Sequence, residues 1–273
     1  MTFENRSEKI VCIVQARMGS SRLPGKVLMD INGYPMLNWV VERARMSETV
    51  DEVWVATTTD PSDDPIEEYC DAQAYDCYRG SEQDVLDRFY QCAKLAEADV
   101  VVRLTADCPL IDAELIDEVI YGLIELESDF SATRLPPPFQ RTFPIGLDVE
   151  AVFFDGLEKA WLDASTKYQR EHVMPFFYEE EGKFIVTILN SDDEKGDYRW
   201  TVDTIEDLDV VKRLTAAFRG RRDFDWYEVL KVFEAHPEWM EINADVSHKT
   251  FFDVDERNQA NDSTEEKCSG DDE

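Results

Sequence analysis

Apolar and polar positions follow two different periods along the first 130 residues, and the two take turns. The run "IVCIVQA" (10–16) is continuously apolar over the length of a buried strand, whereas "YPMLNWVVERARM" (34–46) repeats its apolar residues every three or four positions, as a helix does. The exchange then recurs. "EVWVATTT" (52–59) reads as a strand, "DPIEEYCDAQ" (64–73) as a short helix and "DCYRG" (76–80) as a short strand. "DVLDRFYQCAKLAEA" (84–98) reads as a helix, "DVVVRLTA" (99–106) as a strand and "DAELIDEVIYGLIEL" (112–126) as a helix. Strands alternating with helices across short loops imply a mainly parallel sheet with helices on both faces, an α/β fold.

From about residue 131 the rhythm changes. "RLPPPFQRTFPIG" (134–146) holds too much proline for a helix and too many apolar residues for a linker, which predicts an ordered flap. "LDVEAVFF" (147–154) alternates as a strand does, "TKYQREHVMPFFYEE" (166–180) predicts a helix and "FIVTILN" (184–190) a strand. "TIEDLDVVKRLTAAF" (204–218) and "WYEVLKVFEAH" (226–236) close the pattern as helices. The expected organisation is one domain over 1–245, with a first half at about 9–130 and a second, lid-like half at about 131–245. A polar acidic tail over 246–273 is expected to be disordered.

Charge narrows the partners. The 273 residues carry a formal net charge of −32, scattered along the whole chain. Such a surface repels phosphate backbones and anionic lipid, so neither nucleic acid nor a membrane surface is an expected partner. An acidic shell suited to concentrated salt is one physical reading of that charge, and an ordinary acidic soluble protein is the other. None of the six cysteines forms a C-x-x-C pair, and several lie inside apolar patterns, as expected of reduced, mostly buried thiols. No apolar run approaches the roughly 20 residues that span a bilayer, and the polar start lacks a signal core, so a cytoplasmic location is expected.

Against this acidity, one loop stands out. The first strand runs into "ARMGSSRLPGK" (16–26), where Arg17, Arg22 and Lys26 converge within ten residues beside small residues with free backbone N–H groups. Loops in this position of an α/β sheet hold phosphates. Two common phosphate loops fail on spacing: Gly19 and Gly25 are separated by five residues and Val27 follows Lys26, against the Walker pattern, and only Gly19 is available to a dinucleotide fingerprint. Elsewhere, Asp107 lies between a strand and Pro109, which presents a carboxylate on a sharp turn, while Asp112 is better placed to cap the following helix. Thr204 and Asp207 form a capping-box pattern, so local helix initiation is one reading of Asp203. Asp84 and Arg88 stand four apart on a helix, the spacing of a surface ion pair.

"QARMGSSRLPGK" resembles the signature of the cytidylyltransferases that activate sugars, the group that includes the CMP-acid-sugar synthetases, and most of all their branch named after a spore coat polysaccharide biosynthesis protein. The resemblance continues in order through "RGSEQDVLDRFYQCA", "VVRLTADCPLID", "FPIGLDVEAV", "REHVMPFFY" and "YRWTVDTIEDL". It implies a nucleotide-diphospho-sugar transferase (GT-A-like) sheet and the reaction of CTP with a sugar-type acceptor, giving a CMP-linked product and pyrophosphate. By the same resemblance the first loop wraps the triphosphate of CTP through Ala16, Arg17, Gly19, Ser20, Arg22 and Lys26, with Arg17, Lys26 and Asp107 central to the chemistry. Asp107 and Asp203 match its magnesium ligands, and the segment with Arg79, Asp84 and Arg88 lies beside cytosine and ribose.

Asp148, Glu150, Arg170 and His172 are candidates to line the acceptor pocket. Arg170 with His172 would suit a sugar carboxylate, and an ion pair plus a solvent-facing histidine is the bland alternative. A glycosyltransferase using a ready-made nucleotide-sugar is the competing enzyme class, although "ADCPLID" lacks the D-x-D pair such enzymes commonly carry. A non-catalytic nucleotide-binding protein is disfavoured by the retained charged residues. The apolar flap at 135–145 is compatible with a homodimer or with a monomer that folds it over its own substrate.

Overall fold

The computed structural model describes residues 6–246 of the chain. The expected tail therefore lies outside the described residues from 247 onward. The chain begins with β1 (Ile10–Gln15) and reaches a small hairpin, β2 (Asp30–Ile31) and β3 (Tyr34–Pro35), before α1 (Met36–Ala44). β4 (Glu52–Thr58), α2 (Asp64–Gln73), β5 (Asp76–Gly80), α3 (Val85–Leu95), β6 (Val100–Thr105) and α4 (Ala113–Ile124) follow. The second half supplies β7 (Phe130–Ala132), β8 (Glu150–Phe153), α5 (Phe154–Asp163), α6 (Lys167–His172), α7 (Pro175–Tyr178), β9 (Val186–Ile188), α8 (Ile205–Ala217), α9 (Trp226–Glu234) and α10 (Pro237–Met240).

The strands form one seven-stranded sheet in the order β5-β4-β1-β6-β8-β7-β9. β8 alone runs against its neighbours β6 and β7, and the other pairings are parallel. The fold is the expected mainly parallel α/β sheet. Its sides are covered by different helices because alternate strand residues point to opposite faces. Cys12, Val14, Val55 and Val102 meet Leu37, Val40, Ile66, Ile116 and Val119 of α1, α2 and α4. Val11, Ile13, Ala56 and Val101 meet Leu86, Phe89, Leu157 and Phe177 of α3, α5 and α7. A third core, built on Trp39, Trp200, Leu208, Leu214, Phe224 and Phe233, packs α8 and α9 beside α1.

The second half departs from expectation in three places. The helix expected over 166–180 is two short ones, because Val173 adopts a left-handed φ of 70° and Pro175 cannot donate a backbone hydrogen bond. The strand expected over 147–154 is shorter, and Phe154 instead starts α5, a helix the apolar pattern did not single out. β7 was not anticipated, since three residues carry too little periodicity to read. In the first half, the helix expected from 34 begins at Met36, because Tyr34 and Pro35 pair with the preceding strand. The proline-rich stretch contains no helix or strand, and its Phe143 is buried against Trp226 at a ring distance of 5.5 Å.

The sheet places the loops that matter. β1 and β6 are adjacent and parallel, so the segments following Gln15 and Thr105 leave the sheet side by side, tied by the Ala106 N–H donating to the Gln15 carbonyl at 2.9 Å. The stretch before α8 is threaded onto the same end, where the Val202 N–H and the Thr201 hydroxyl both donate to the Asp107 carbonyl at 2.8 and 3.1 Å.

Candidate active site

The loop after β1 is folded around the backbone of Met18. Its carbonyl accepts from the N–H groups of Ser20 and Gly25, each at 2.9 Å, and its own N–H donates to the Asp63 carboxylate at 2.7 Å. Gly25 has φ 72°, a left-handed conformation that L side chains rarely adopt, and this turn delivers Lys26 inward. Lys26 is only 7% exposed. Its ammonium donates to Asp107 Oδ2 at 2.8 Å, Asp203 Oδ1 at 2.9 Å and the Val202 carbonyl at 2.9 Å. Three segments far apart in sequence thus meet at one nitrogen.

Neither aspartate is spent on capping. Asp112 caps α4 through the Leu115 N–H at 3.0 Å, and Thr204 caps α8 through the Asp207 N–H. Asp203 is left to face cations: Lys26, Arg22 at 2.8 Å and Arg199 at 2.7 Å, the last also held by Asp207 at 2.9 Å. Burial alone would raise the Asp203 carboxyl, but Lys26, Arg22 and Arg199 outweigh it and hold it well below the usual carboxylate range. Burial alone would likewise lower the Lys26 ammonium, and the two aspartates outweigh it and push it up. Asp107 and Asp203 are the pair that fits a hard divalent cation, because they already share one cation-sized position, and magnesium typically takes one or two carboxylates plus phosphate oxygens.

The remaining candidates fall into two groups. Ala16 is buried, its N–H donating to the Ala56 carbonyl at 3.1 Å; Gly19 and Ser20 are half-buried in the loop, and Arg17 lies close enough to Arg88 to lower its pKa. Arg88 is fully buried, donates to the Ser81 carbonyl at 2.8 Å and is pushed down to about 10, by burial first and then by Arg17. Asp84 does not pair with Arg88: it caps α3 and takes a forked contact from Arg170 at 2.5 to 3.0 Å. An N-cap side chain turns toward its own helix start, away from the i+4 position. Arg79 is committed elsewhere, to Glu67, Asp64 and the Thr58 carbonyl, at the outer edge of the sheet.

The acceptor candidates are likewise separated. Arg170 is occupied by Asp84 and the Trp161 carbonyl. Burial first, then the charges of Arg103 and Arg134, push His172 down to about 4, so it is neutral at pH 7. The structure therefore does not join Arg170 and His172 into one basic pair. Glu150 is paired with Arg103, which also donates to the Gln15 side chain at 3.2 Å, and Asp148 is ion-paired with Arg134 at 3.1 Å and accepts from Arg141 at 2.5 Å. Together these side chains make a polar floor continuing the face of Val101 and Val152.

Sequence reasoning missed Asp63, Arg103, Arg134, Arg199 and Asp207 as parts of this assembly. Asp63 is 1% exposed and, besides Met18, accepts from the Thr57 hydroxyl and from both the N–H and the hydroxyl of Thr58. A signal existed for Arg103, a cation inside an otherwise apolar strand. Asp63 sits in "DPSDD" and was indistinguishable from a helix-starting acid. Away from this site, an apolar groove of about 540 Å³ between α4 and the edge strand β9 is lined by Tyr121, Leu126 and Leu189 and holds no cation for a phosphate.

A basic loop at the strand ends of a mainly parallel sheet, facing two carboxylates on neighbouring loops, defines a nucleotidyltransferase-type α/β protein. The cytidylyltransferase family model matches residues 11–239, and the chain belongs to that family. A Methanocaldococcus jannaschii protein is 37% identical over 250 residues, 91% of this chain and all of that one. The spore coat polysaccharide biosynthesis protein SpsF of Bacillus subtilis is 31% identical over 236 residues, covering 84% of this chain and 95% of its own. Among solved structures, a cytidylyltransferase from Leptospira borgpetersenii superposes with a TM-score of 0.78 at 33% identity, over 85% of this chain and 97% of that one.

Proposed function

We propose that the protein transfers CMP from CTP to a sugar-type acceptor that carries an acidic group, releasing pyrophosphate, in surface polysaccharide or glycan synthesis in the cytoplasm. The observation that carries this reading is the meeting of Lys26, Asp107 and Asp203 at the end of β1 and β6. The relatives support the direction. Besides the Bacillus protein, a 3-deoxy-manno-octulosonate cytidylyltransferase of Escherichia coli is 39% identical over 119 residues, 42% of this chain and 46% of that one.

In this reading the hydroxyl of the acceptor attacks the α-phosphorus in line, a P–O bond forms, the bond to pyrophosphate breaks, and the hydroxyl proton passes to solvent. Arg17, Arg22 and Lys26 bind the triphosphate and balance the charge that collects on the leaving group. Asp107 and Asp203 would hold Mg²⁺, which supplies further charge neutralisation on the phosphates when bound. The Asp63 carboxylate fixes the loop backbone at Met18, so the backbone that carries these cations does not have to be ordered when substrate arrives. Arg103 and Arg134, whose charges both reach the neutral His172, favour an anionic acceptor on the polar floor.

The test is pyrophosphate release in high-salt buffer with Mg²⁺, each of the four nucleoside triphosphates, and a panel of acidic and neutral sugars. Release with CTP and an acidic sugar, lost in Lys26→Ala and in Asp107→Ala, is the expected result. No pyrophosphate from any pair, but release of the nucleoside mono- or diphosphate from a preformed nucleotide-sugar, would replace this reading with a glycosyltransferase.

A further inference from the structure

The ammonium of Lys26 sits in an unusual place for a phosphate-binding group. Its three N–H donors are all used, on one oxygen each from Asp107, Asp203 and the Val202 carbonyl, at 2.8 to 2.9 Å. An oxygen cage of two carboxylates and a carbonyl is what a hard cation seeks. We propose that Lys26 is the resident counter-ion of the Asp107–Asp203 pair, filling the position of a divalent cation, so that metal enters only with the nucleotide that draws the lysine away. This rests on the function proposed above and adds an order of assembly to it.

Charge balance argues the same way. Lys26, Arg22 and Arg199 stand against Asp107, Asp203 and Asp207, three cations on three carboxylates in a largely buried cluster. The cluster is neutral as it stands. A bare divalent cation entering it would leave uncompensated positive charge where water screens poorly. A bare triphosphate would draw Lys26 and Arg22 off and leave the two carboxylates facing its own negative charge. The metal and the triphosphate together solve both problems: the lysine moves to the phosphates and the metal takes the carboxylates. Lys26 and Arg22 lie on one loop, so a single ligand can recruit both cations.

The probe is Mn²⁺, followed by electron paramagnetic resonance on the full chain with and without CTP. With 60 Asp and Glu residues the surface binds Mn²⁺ loosely everywhere, so the site signal is the difference from Lys26→Met/Asp107→Asn. The wild type is expected to bind Mn²⁺ at the site only with CTP. Lys26→Met is expected to bind it without CTP at least tenfold more tightly than the wild type, and the double variant to lose that gain. Equal Mn²⁺ affinity of the wild type with and without CTP overturns the proposal, and so does a Lys26→Met protein with no gain over the double variant. If Lys26→Met fails to fold, the wild-type comparison decides alone. If CTP with Mn²⁺ gives the wild type no thermal protection, the failure lies instead with the proposed function.

Discussion

At the scale of single residues, the site depends on charges that are expensive to leave alone. Removing Lys26 strands two carboxylates in a poorly hydrated cluster, and breaking a buried pair in this way typically costs about 3–5 kcal/mol. Lys26→Ala is expected to lose stability on that scale in urea melts and to lose at least a hundredfold in CTP-dependent pyrophosphate release. Asp63 offers a separate test. Four donors from Met18, Thr57 and Thr58 converge on it, so Asp63→Ala should cost about 2–3 kcal/mol by leaving buried donors unmet. It should also raise the KM for CTP more than it lowers kcat, since the loop it fixes is the one proposed to bind the triphosphate. An unchanged KM would make Asp63 a purely structural residue.

Two residues act on different parts of the acid limb of stability. His172 falls from 6.5 unfolded to about 4 folded, so the unfolded chain binds the proton first and stability drops as pH falls from 6.5 toward 4. Asp203 is held below its ordinary 3.8, so its contribution is complete above that value and is lost only as pH falls further. Urea unfolding at stepped pH should show the loss between 6.5 and 4 flattened in His172→Gln. That variant should leave the steeper loss below 3.8, and Asp203→Asn should remove it.

At the scale of elements, the polypeptide that positions Asp203 is braced by the end of the flap. Ile145 bridges Arg199, and Gly146, at φ 111°, lies so close that an added Cβ would stand 2.5 Å from the Thr201 nitrogen and 2.8 Å from the Trp200 carbonyl carbon. Gly146→Ala is therefore expected to cost about 3 kcal/mol, from strain plus overpacking, and to depress CTP binding although residue 146 is not among the residues proposed to bind the nucleotide. Thermal unfolding and CTP titration on the same sample check it. Elements of this kind explain what could be read from the chain. α2 and β5 match the expected segments residue for residue because each is a clean period bounded by turn residues. Lys26 was legible because a cation beside an apolar strand is rare in so acidic a chain, whereas Asp107 and Asp203 were singled out by the resemblance of their motifs to the family's. The break at Val173–Pro175 had a signal in Pro175 that the apolar period overrode, and the pairing of Asp84 with Arg170 had none. That pairing depends on where α6 is placed against α3, a tertiary contact between residues 86 apart. The helical period is equally good whether the helix is whole or broken, and an aspartate at a helix start looks the same whichever arginine reaches it.

At the scale of the whole molecule, the sheet and its charge pull in opposite directions. Three apolar cores share one backbone frame, with β6 and β8 joining the halves of the chain through the middle of the sheet. Folding gathers a net charge of −32 into that small volume, and the self-repulsion this creates is a term the unfolded chain largely escapes by expanding. Salt acts on the term directly, since the Debye length falls from about 10 Å at 0.1 M to about 3 Å at 1 M. Exposed pairs such as Arg221 with Asp223 weaken with salt as well, but each contributes little, whereas the repulsion is summed over the whole surface. The melting temperature is therefore expected to rise by roughly 10 °C between 0.1 and 2 M KCl, the shift that about 3 kcal/mol produces in a chain of this size. Calorimetry in KCl and in NaCl separates screening from ion-specific binding, because screening treats the two salts alike. The buried cluster around Lys26 sets an internal control: its pairs are shielded from bulk ions, so the stability lost in Lys26→Ala should be nearly the same at both ends of the salt range. A melting temperature that stays flat or falls with KCl would mean that local ion pairs, and not the summed surface charge, set the electrostatic stability of this fold.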